Sequence, residues 1–337
     1  MEFQIWMKRL HSFSRYNLLL YAHFCLVICA LFKLSLPFLT IVILFSAYLL
    51  IGVGGYLFND WYDQSSDEKA GKLNITTTLS ANQFYLLLLL FWGFGLFFIF
   101  QISLVASYVL ILQFLLIIAY SHPTIRLKEK GIVGLLVDSL YGHVVPVLML
   151  LVVLSDFGQL PLFFKFCFLI LNLFIGIRDI LIHQLEDKQN DLKAGVKTFA
   201  TEQGEKAQKL IKQVVLVTNY LLLFLVYYVL YIQFNVYSLI FTSLLTAIFI
   251  QQYKKHKQLE RVCVFLSTWL LIGYFVKSEQ FVFLLLIFHP YFIELTSRLI
   301  KIIYFDFFKL YVNVGLYYLF LVFGRDLKKK PLYEKKK

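Results

Sequence analysis

Carboxylates are concentrated at one point of a chain that is otherwise strongly apolar. The stretch NDWYDQSSD, residues 59–67, carries Asp60, Asp63 and Asp67 at positions i, i+3 and i+7. On a helix this spacing places the three side chains on one face, one turn above another, where they repel each other if unpaired. A divalent cation relieves that repulsion, and hard cations prefer such oxygen ligands. Asn59 adds an amide oxygen at the same helix end, so the stretch predicts a metal site.

A second acidic cluster follows the sixth apolar run, as the first follows the second. In HQLEDKQNDLKAGVKTFATEQG, residues 183–204, Asp187 and Asp191 are spaced i and i+4, which again places them on one helix face. Gly195 then offers a turn, and Lys197 and Thr198 supply a cation and a hydroxyl. Carboxylates from two clusters that face each other predict bound magnesium, and bridging magnesium predicts a polyphosphate ligand.

The elements that carry these clusters are predicted to be membrane helices. Of the 337 residues, 60% are hydrophobic and 15% are charged, against roughly a quarter charged in soluble domains. Apolar runs of about 16–25 residues recur along the chain, each long enough to cross a bilayer core of about 30 Å as a helix. They do not alternate as the strands of a β-barrel would. The sequence predicts an all-α, polytopic membrane helix bundle.

The predicted spans form one membrane domain over residues 1–337, without a soluble domain. Eight spans are predicted at 17–35, 37–58, 82–99, 102–120, 132–153, 160–184, 206–231 and 235–252. Three further apolar runs follow at 261–276, 280–299 and 307–323, within a region, 260–337, whose boundaries are less well defined. The total is therefore about nine to eleven crossings.

Basic residues indicate which ends of the spans face the cytoplasm. The formal charge is +12, but the lysines and arginines gather in short loops on one side and in the tail RDLKKKPLYEKKK. This distribution is typical of cytoplasmic loops facing anionic lipid, not of a nucleic-acid surface. Lys8, Arg9 and Arg15 precede the first span. The N-terminus and the polar loops 59–81 and 185–205 are predicted to be cytoplasmic, so both acidic clusters lie on one membrane side.

These motifs resemble those of the UbiA superfamily of intramembrane prenyltransferases. NDWYDQSSD is similar to the family's NDxxDxxxD motif, and DKQND followed by AGVKT is similar to its second, DxxxD, motif. YSHPTIRLKEKG, residues 120–131, resembles the family segment after the fourth helix. The similarity spans helices one to about eight. It departs after the first motif, where many members carry an Arg and an Arg-Pro pair and this chain reads EKAGKLNITTTLSANQ.

The resemblance implies a helix bundle around a central cavity, and transfer of a prenyl group from a prenyl diphosphate to a membrane-associated acceptor. That acceptor is an aromatic or another lipid precursor. The implied Mg²⁺ ligands are Asn59, Asp60, Asp63, Asp67, Asp187 and Asp191. The residues implied to act in catalysis are Asp60, Asp63, Asp187 and Asp191. The implied clamps on the diphosphate are Lys69, Lys72, Arg126, Lys128 and Lys197, with Lys69 and Lys72 replacing the missing arginines.

Two other functions use acidic clusters in membranes. A cation transporter would place its carboxylates near the midplane in broken helices, whereas these lie at helix ends. A CDP-alcohol phosphotransferase would gather its aspartates in a single motif, whereas these clusters are about 120 residues apart. One further carboxylate, Asp138, lies in the fifth span with Tyr141 and His143. Because a charge there is costly unless it is paired or faces a polar cavity, Asp138 is a candidate for the acceptor side.

Overall fold

The fold consists of helices of very unequal length. The computed structural model describes residues 21, 24, 25, 28, 29 and 32–234. Within these residues there is no β-strand. The helices are α1 (Phe38–Lys69), α2 (Ala81–Ile102), α3 (Leu104–Ser121), α4 (Ile132–Ser139), α5 (Val145–Ser155), α6 (Leu162–Ala194), α7 (Phe199–Glu202) and α8 (Gly204–Phe234). Short 3₁₀ turns occupy Ile75–Thr78 and Leu127–Glu129, and a π-helical turn, Leu140–Val144, joins α4 to α5.

Five helical segments of the described part are long and apolar enough to cross a membrane. They are α1, α2, α3, the continuous segment Ile132–Ser155 and α6, which match the five spans predicted between 37 and 184. The predicted span 206–231 lies within α8. The all-α membrane bundle is therefore confirmed. The number of crossings stays a prediction, because much of the predicted span 17–35 and all the runs from 235 onward lie outside the described residues. The single-domain prediction for the C-terminal part stays a prediction for the same reason.

Helices α1 and α6 extend beyond the spans predicted for them. They have 32 and 33 residues, so each is about 48–50 Å long, against about 30 Å for a hydrocarbon core. The stretches predicted as loops 59–81 and 185–205 consequently begin as helix. No glycine or proline interrupts the polar residues that follow each apolar run, so the backbone hydrogen bonds continue. Both acidic clusters thus stand on the last turns of long helices.

Each of these helices ends in a turn that brings the chain back toward the cavity. At the end of α6, Gly195 has a φ of 71°, a left-handed conformation that costs glycine little. The Val196 N–H donates to the Asp191 carbonyl at 2.9 Å, which closes the helix end. At the end of α1, the Lys72 N–H donates to the Asp67 carbonyl at 2.8 Å. These turns position residues 72 and 196–198 beside the acidic helix ends.

A tight core holds the spans together around the site. Leu44 and Ala47 of α1, Met149 and Leu150 of α5 and Leu171 of α6 are each at most 2% exposed in one continuous apolar cluster. Helix α6 also passes very close to the end of α4. A Cβ added at Gly176 would lie 2.8 Å from Ser139, so this approach requires glycine. The close packing brings the middle of α6 against the π turn, which matters for the inner part of the site.

Candidate active site

The two acidic clusters open onto the same cavity. Its volume is about 680 Å³, and it runs from the acidic ends of α1 and α6 into the bundle. Its outer part carries all six predicted metal ligands and two of the five predicted diphosphate-binding cations. These outer residues, which we call the mouth, are Asn59, Asp60, Asp63, Asp67, Lys72, Lys128, Asp187 and Asp191.

The carboxylates of α1 are held by their surroundings at several points. Asp60 is only 3% exposed, and its backbone carbonyl accepts a hydrogen bond from Asn74 Nδ2 at 2.6 Å. The same Nδ2 donates to Asp67 Oδ2 at 2.8 Å. At the start of the cluster, Asn59 Oδ1 accepts from the Ser121 hydroxyl at 2.8 Å, which ties α1 to the end of α3. The acidic face of α1 is therefore fixed in orientation.

Asn74 was missed by the sequence-based argument. Its Oδ1 accepts a hydrogen bond from the Thr76 N–H at 2.9 Å. Its Nδ2 donates to the Asp60 carbonyl and to the Asp67 carboxylate, as described above. An asparagine directly before Ile-Thr-Thr-Thr indicates a cap of this kind, because asparagine commonly accepts from the backbone two residues further on. The sequence therefore contained the information for the turn, but not for the contact with Asp67.

A buried ion pair occupies the α1 side of the mouth. Lys128 Nζ donates to Asp63 Oδ1, and their side chains are only 11% and 14% exposed. Burial lowers the pKa of Lys128 below its ordinary value, and the neighbouring Asp63 carboxylate opposes that shift. Arg126 contributes from further away, with Nη2 at 3.5 Å from Asp63 Oδ1 and Nε at 2.5 Å from Glu129 Oε1. The predicted cations 126 and 128 thus act together on a single carboxylate.

A second ion pair joins the two acidic helix ends to each other. Lys72 follows the turn after α1, and its Nζ lies 2.8 Å from Asp187 Oδ2 on α6. His183 Nδ1 approaches the same oxygen at 3.6 Å. This pair is more open than the first, with side-chain exposures of 36% for Lys72 and 27% for Asp187. Each acidic cluster therefore has one lysine partner.

The remaining predicted cations lie away from the cavity. Lys69 and Lys197 are exposed, and neither lines it. Arg126 does not line the cavity either and reaches it only through Asp63. Lys72 and Lys128 are thus the two lysines that the described structure places at the mouth.

The mouth has the ligand chemistry that magnesium prefers, and two of its carboxylates, Asp63 and Asp187, are paired with lysines. Five carboxylates and one amide offer oxygen atoms only, as a hard cation requires. Within the described part of the chain, no three Asp, Glu, His or Cys side chains are as close together as the ligands of a bound ion. The residues fit a hard cation by type and by shared cavity, and lysine ammonium groups supply the positive charge here.

The structure defines an integral membrane protein with an acidic, lysine-paired site at one end of a buried cavity. A family comparison matches residues 18–271 to the UbiA prenyltransferase family, and the chain belongs to that family. A search of curated proteins finds no match to the chain.

Solved structures confirm the fold. A UbiA homologue from Archaeoglobus fulgidus bound to DMAPP and Mg²⁺ is 16% identical, with a TM-score of 0.58 over 80% of this chain and 96% of that one. The same homologue bound to GPP and Mg²⁺ gives the same identity and TM-score, over 80% and 97%. A digeranylgeranylglyceryl phosphate synthase is 14% identical, with a TM-score of 0.53 over 82% and 97%. At these identities the likeness concerns the fold.

Proposed function

We propose that this protein is a Mg²⁺-dependent intramembrane prenyltransferase, which moves a prenyl group from a prenyl diphosphate to a membrane-associated acceptor. One observation carries the proposal. The acidic ends of two long helices line the mouth of a single cavity, and each acidic end is paired with one lysine. Membership of the UbiA prenyltransferase family supports it. So do the ligands of the A. fulgidus homologue, which are a prenyl diphosphate and Mg²⁺.

We assign the metal to the oxygen ligands of the mouth. They are Asn59, Asp60, Asp63, Asp67, Asp187 and Asp191, of which Asp60, Asp63, Asp187 and Asp191 are the proposed catalytic set. Bound Mg²⁺ would stabilise the negative charge that develops on the leaving diphosphate. Lys72 and Lys128 exchange a carboxylate partner for diphosphate oxygens, and charge-assisted hydrogen bonds of this kind are among the stronger ones in proteins.

The transfer itself requires a dry cavity below the mouth. The C1–O bond of the donor breaks with its electron pair going to the diphosphate, the acceptor bonds to C1, and the acceptor loses a proton. The apolar and aromatic walls, among them Tyr48, Ile51 and Ile117, exclude water that would otherwise capture the allylic cation. Aromatic faces also stabilise a nearby cation. The head group of a cytosolic donor reaches the mouth without crossing the bilayer if the acidic ends are cytoplasmic, as the charge distribution predicts.

The test uses purified protein in lipid nanodiscs with labelled geranyl diphosphate, Mg²⁺ and a lipid extract of the source organism as acceptor. We expect Mg²⁺-dependent binding, pyrophosphate release and a labelled lipid product. Asp187→Asn should lose nearly all transfer. Its matched control is Glu186→Gln, an exposed neighbour on the same helix that does not line the cavity, and it should keep full activity.

Three outcomes would contradict the proposal. Equal activity of Asp187→Asn and Glu186→Gln would remove the second acidic cluster from the site. Binding of Mg²⁺ without any binding of geranyl diphosphate would favour a cation transporter. Release of CMP from a CDP-alcohol, with no turnover of geranyl diphosphate, would favour a phosphotransferase.

A further inference from the structure

The inner part of the cavity carries a polar group of side chains that the diphosphate chemistry leaves unused. We call it the inner pocket. It lies within the membrane-spanning region, around the π turn between α4 and α5. Its polar lining residues are Gln113, Tyr120, Asp138, Tyr141, His143 and Asp179. Polar residues at this depth are costly unless they bind one another or a ligand, so their presence indicates a function.

Tyr141 connects the members of the inner pocket. Its hydroxyl donates to Asp138 Oδ1 at 2.6 Å, and its backbone carbonyl accepts from Gln113 Nε2 at 2.9 Å. The carbonyl of the next residue, Gly142, accepts from the Tyr21 hydroxyl at 2.6 Å. A π turn disturbs the regular i,i+4 hydrogen bonds of a helix. Here two of its carbonyls accept hydrogen bonds from side chains in other parts of the chain. The Tyr120 ring packs against the Tyr141 ring at a tilt of 60°, with the ring centroids 5.1 Å apart.

Gln113 lines the cavity and carries a buried hydrogen-bond acceptor. The residue is 7% exposed, and because Nε2 donates to a carbonyl, the amide orientation is fixed with Oε1 as the remaining group. Among the described residues, no donor reaches this buried Oε1. A buried polar atom without a partner costs about 1–3 kcal/mol, so a ligand that donates a hydrogen bond here gains affinity.

The charge of the inner pocket restricts the ligand further. Asp179 is paired with Arg178, whose Nη2 lies 2.6 Å from Asp179 Oδ1. Asp138 receives hydrogen bonds, but within the described chain no lysine or arginine forms an ion pair with it. The lysines that line the cavity, Lys72 and Lys128, are engaged at the mouth. An anionic group would therefore meet repulsion from Asp138, whereas a neutral hydrogen-bond donor would not.

We propose that the inner pocket is the acceptor subsite and that it takes an uncharged acceptor through a hydroxyl group, which donates to Gln113 on binding and to Asp138 as the bond to the donor forms. This proposal rests on the prenyltransferase function proposed above. Asp138 takes the hydroxyl proton while the acceptor oxygen bonds to C1 of the donor. The C1–O bond to diphosphate breaks, and diphosphate leaves with the electron pair. Atoms and charge balance without any further reactant.

The first experiment tests the class of acceptor. The lipid extract is passed through anion and cation exchangers at neutral pH, and the fractions are assayed with labelled geranyl diphosphate. We expect the acceptor in the uncharged fraction, and we expect acetic anhydride treatment of that fraction to abolish transfer, because it caps hydroxyl groups. An acceptor retained on the anion exchanger, or transfer that survives acetylation, would overturn the proposal.

The second experiment tests the two residues. Asp138→Asn should lower kcat by about 100-fold or more, in the range seen for loss of a general base. Gln113→Leu should raise the KM for acceptor by about 2- to 10-fold, as expected for one neutral hydrogen bond, with a smaller change in kcat. Both should keep the wild-type Kd for geranyl diphosphate. The controls are Asp156→Asn and Gln101→Leu, both exposed and outside the cavity, which should change none of these values.

The outcomes separate this proposal from the proposed function. If the wild-type protein does not bind geranyl diphosphate in the presence of Mg²⁺, the prenyltransferase function itself fails. If it binds and transfers normally but Asp138→Asn retains wild-type kcat, only the acceptor subsite is wrong. Should Asp138→Asn fail to fold, Gln113→Leu decides, since an unchanged KM for acceptor would overturn the proposal on its own.

Discussion

The ion pair between Lys72 and Asp187 gives the sharpest prediction, because loss of Lys72 should change the affinity for donor far more than the unfolding free energy. If Lys72 serves mainly to bind donor diphosphate, replacing it should harm binding far more than folding. The substitution is Lys72→Met, which keeps the length of the side chain and removes the charge. Its control is Lys193→Met, an exposed lysine at the end of α6 that does not line the cavity.

The two magnitudes follow from exposure and charge. Lys72 and Asp187 are 36% and 27% exposed, so solvent screens their 2.8 Å contact, and its loss should cost at most about 1 kcal/mol of unfolding free energy. In a chain of this size that corresponds to a fall in Tm of about 2–4 °C or less. A hydrogen bond to a charged ligand is instead worth about 1.5–3 kcal/mol. Its loss should raise the Kd for geranyl diphosphate about 10- to 150-fold.

The measurement pairs a thermal unfolding curve with a titration of labelled geranyl diphosphate in the presence of Mg²⁺. Lys193→Met should match the wild-type protein in both. A Kd within about twofold of wild type for Lys72→Met would refute the role in donor binding, since that is less than the weakest expected hydrogen bond. A fall in Tm of more than about 10 °C would mean that the pair is structural instead.

Three further predictions concern the same mouth. Lys128→Met should lower the unfolding free energy by about 3 kcal/mol, because it leaves Asp63 buried with only the more distant Arg126 as partner. This loss should exceed that of Lys72→Met, and equal losses in thermal unfolding would contradict the prediction. Chelation with EDTA should abolish transfer, and excess Mg²⁺ should restore it; full activity in EDTA would exclude a metal. In a cysteine-free protein, single cysteines can be introduced at the exposed positions Ser65 and Gln189. Both should react with an impermeant thiol reagent added to the cytoplasmic side only. Labelling of the two positions from opposite sides would exclude a shared cytoplasmic mouth.

Helical periodicity predicts the acidic faces well, and it also shows why Lys69 lies outside the cavity. Asp60, Asp63 and Asp67 line one cavity because α1 continues as a regular helix through Lys69. At about 100° per residue, Lys69 lies about 200° around the helix from Asp67, on the opposite face. The same periodicity thus argues against Lys69 as a ligand of the cavity. Lys72 lies beyond the helix end, where the position of a side chain depends on the turn and periodicity no longer applies.

Contacts between distant parts of the chain could not be predicted in this way. Gln113 lies in an apolar run, and its partner is a backbone carbonyl 28 residues away, exposed to it by the π turn. Nothing in LYGHV itself marks a wider turn, although Pro146 has no N–H to donate to the Gly142 carbonyl and so indicates a disturbed helix here. Local propensity describes single helices, whereas the inner pocket arises from how three of them pack. Asp138 itself was found because a carboxylate within a span is conspicuous on its own.

The lysines also explain how the mouth accommodates its carboxylates. Unpaired, the aspartates of each cluster would repel one another. In the structure, Lys128 neutralises Asp63 and Lys72 neutralises Asp187, one lysine for each cluster. The Lys128–Asp63 pair is buried, whereas the Lys72–Asp187 pair is partly exposed. Exchange of the carboxylate partner therefore costs less free energy for Lys72 than for Lys128. On the proposed function we therefore expect donor diphosphate to recruit Lys72 before Lys128, which would leave Asp187 available as a metal ligand.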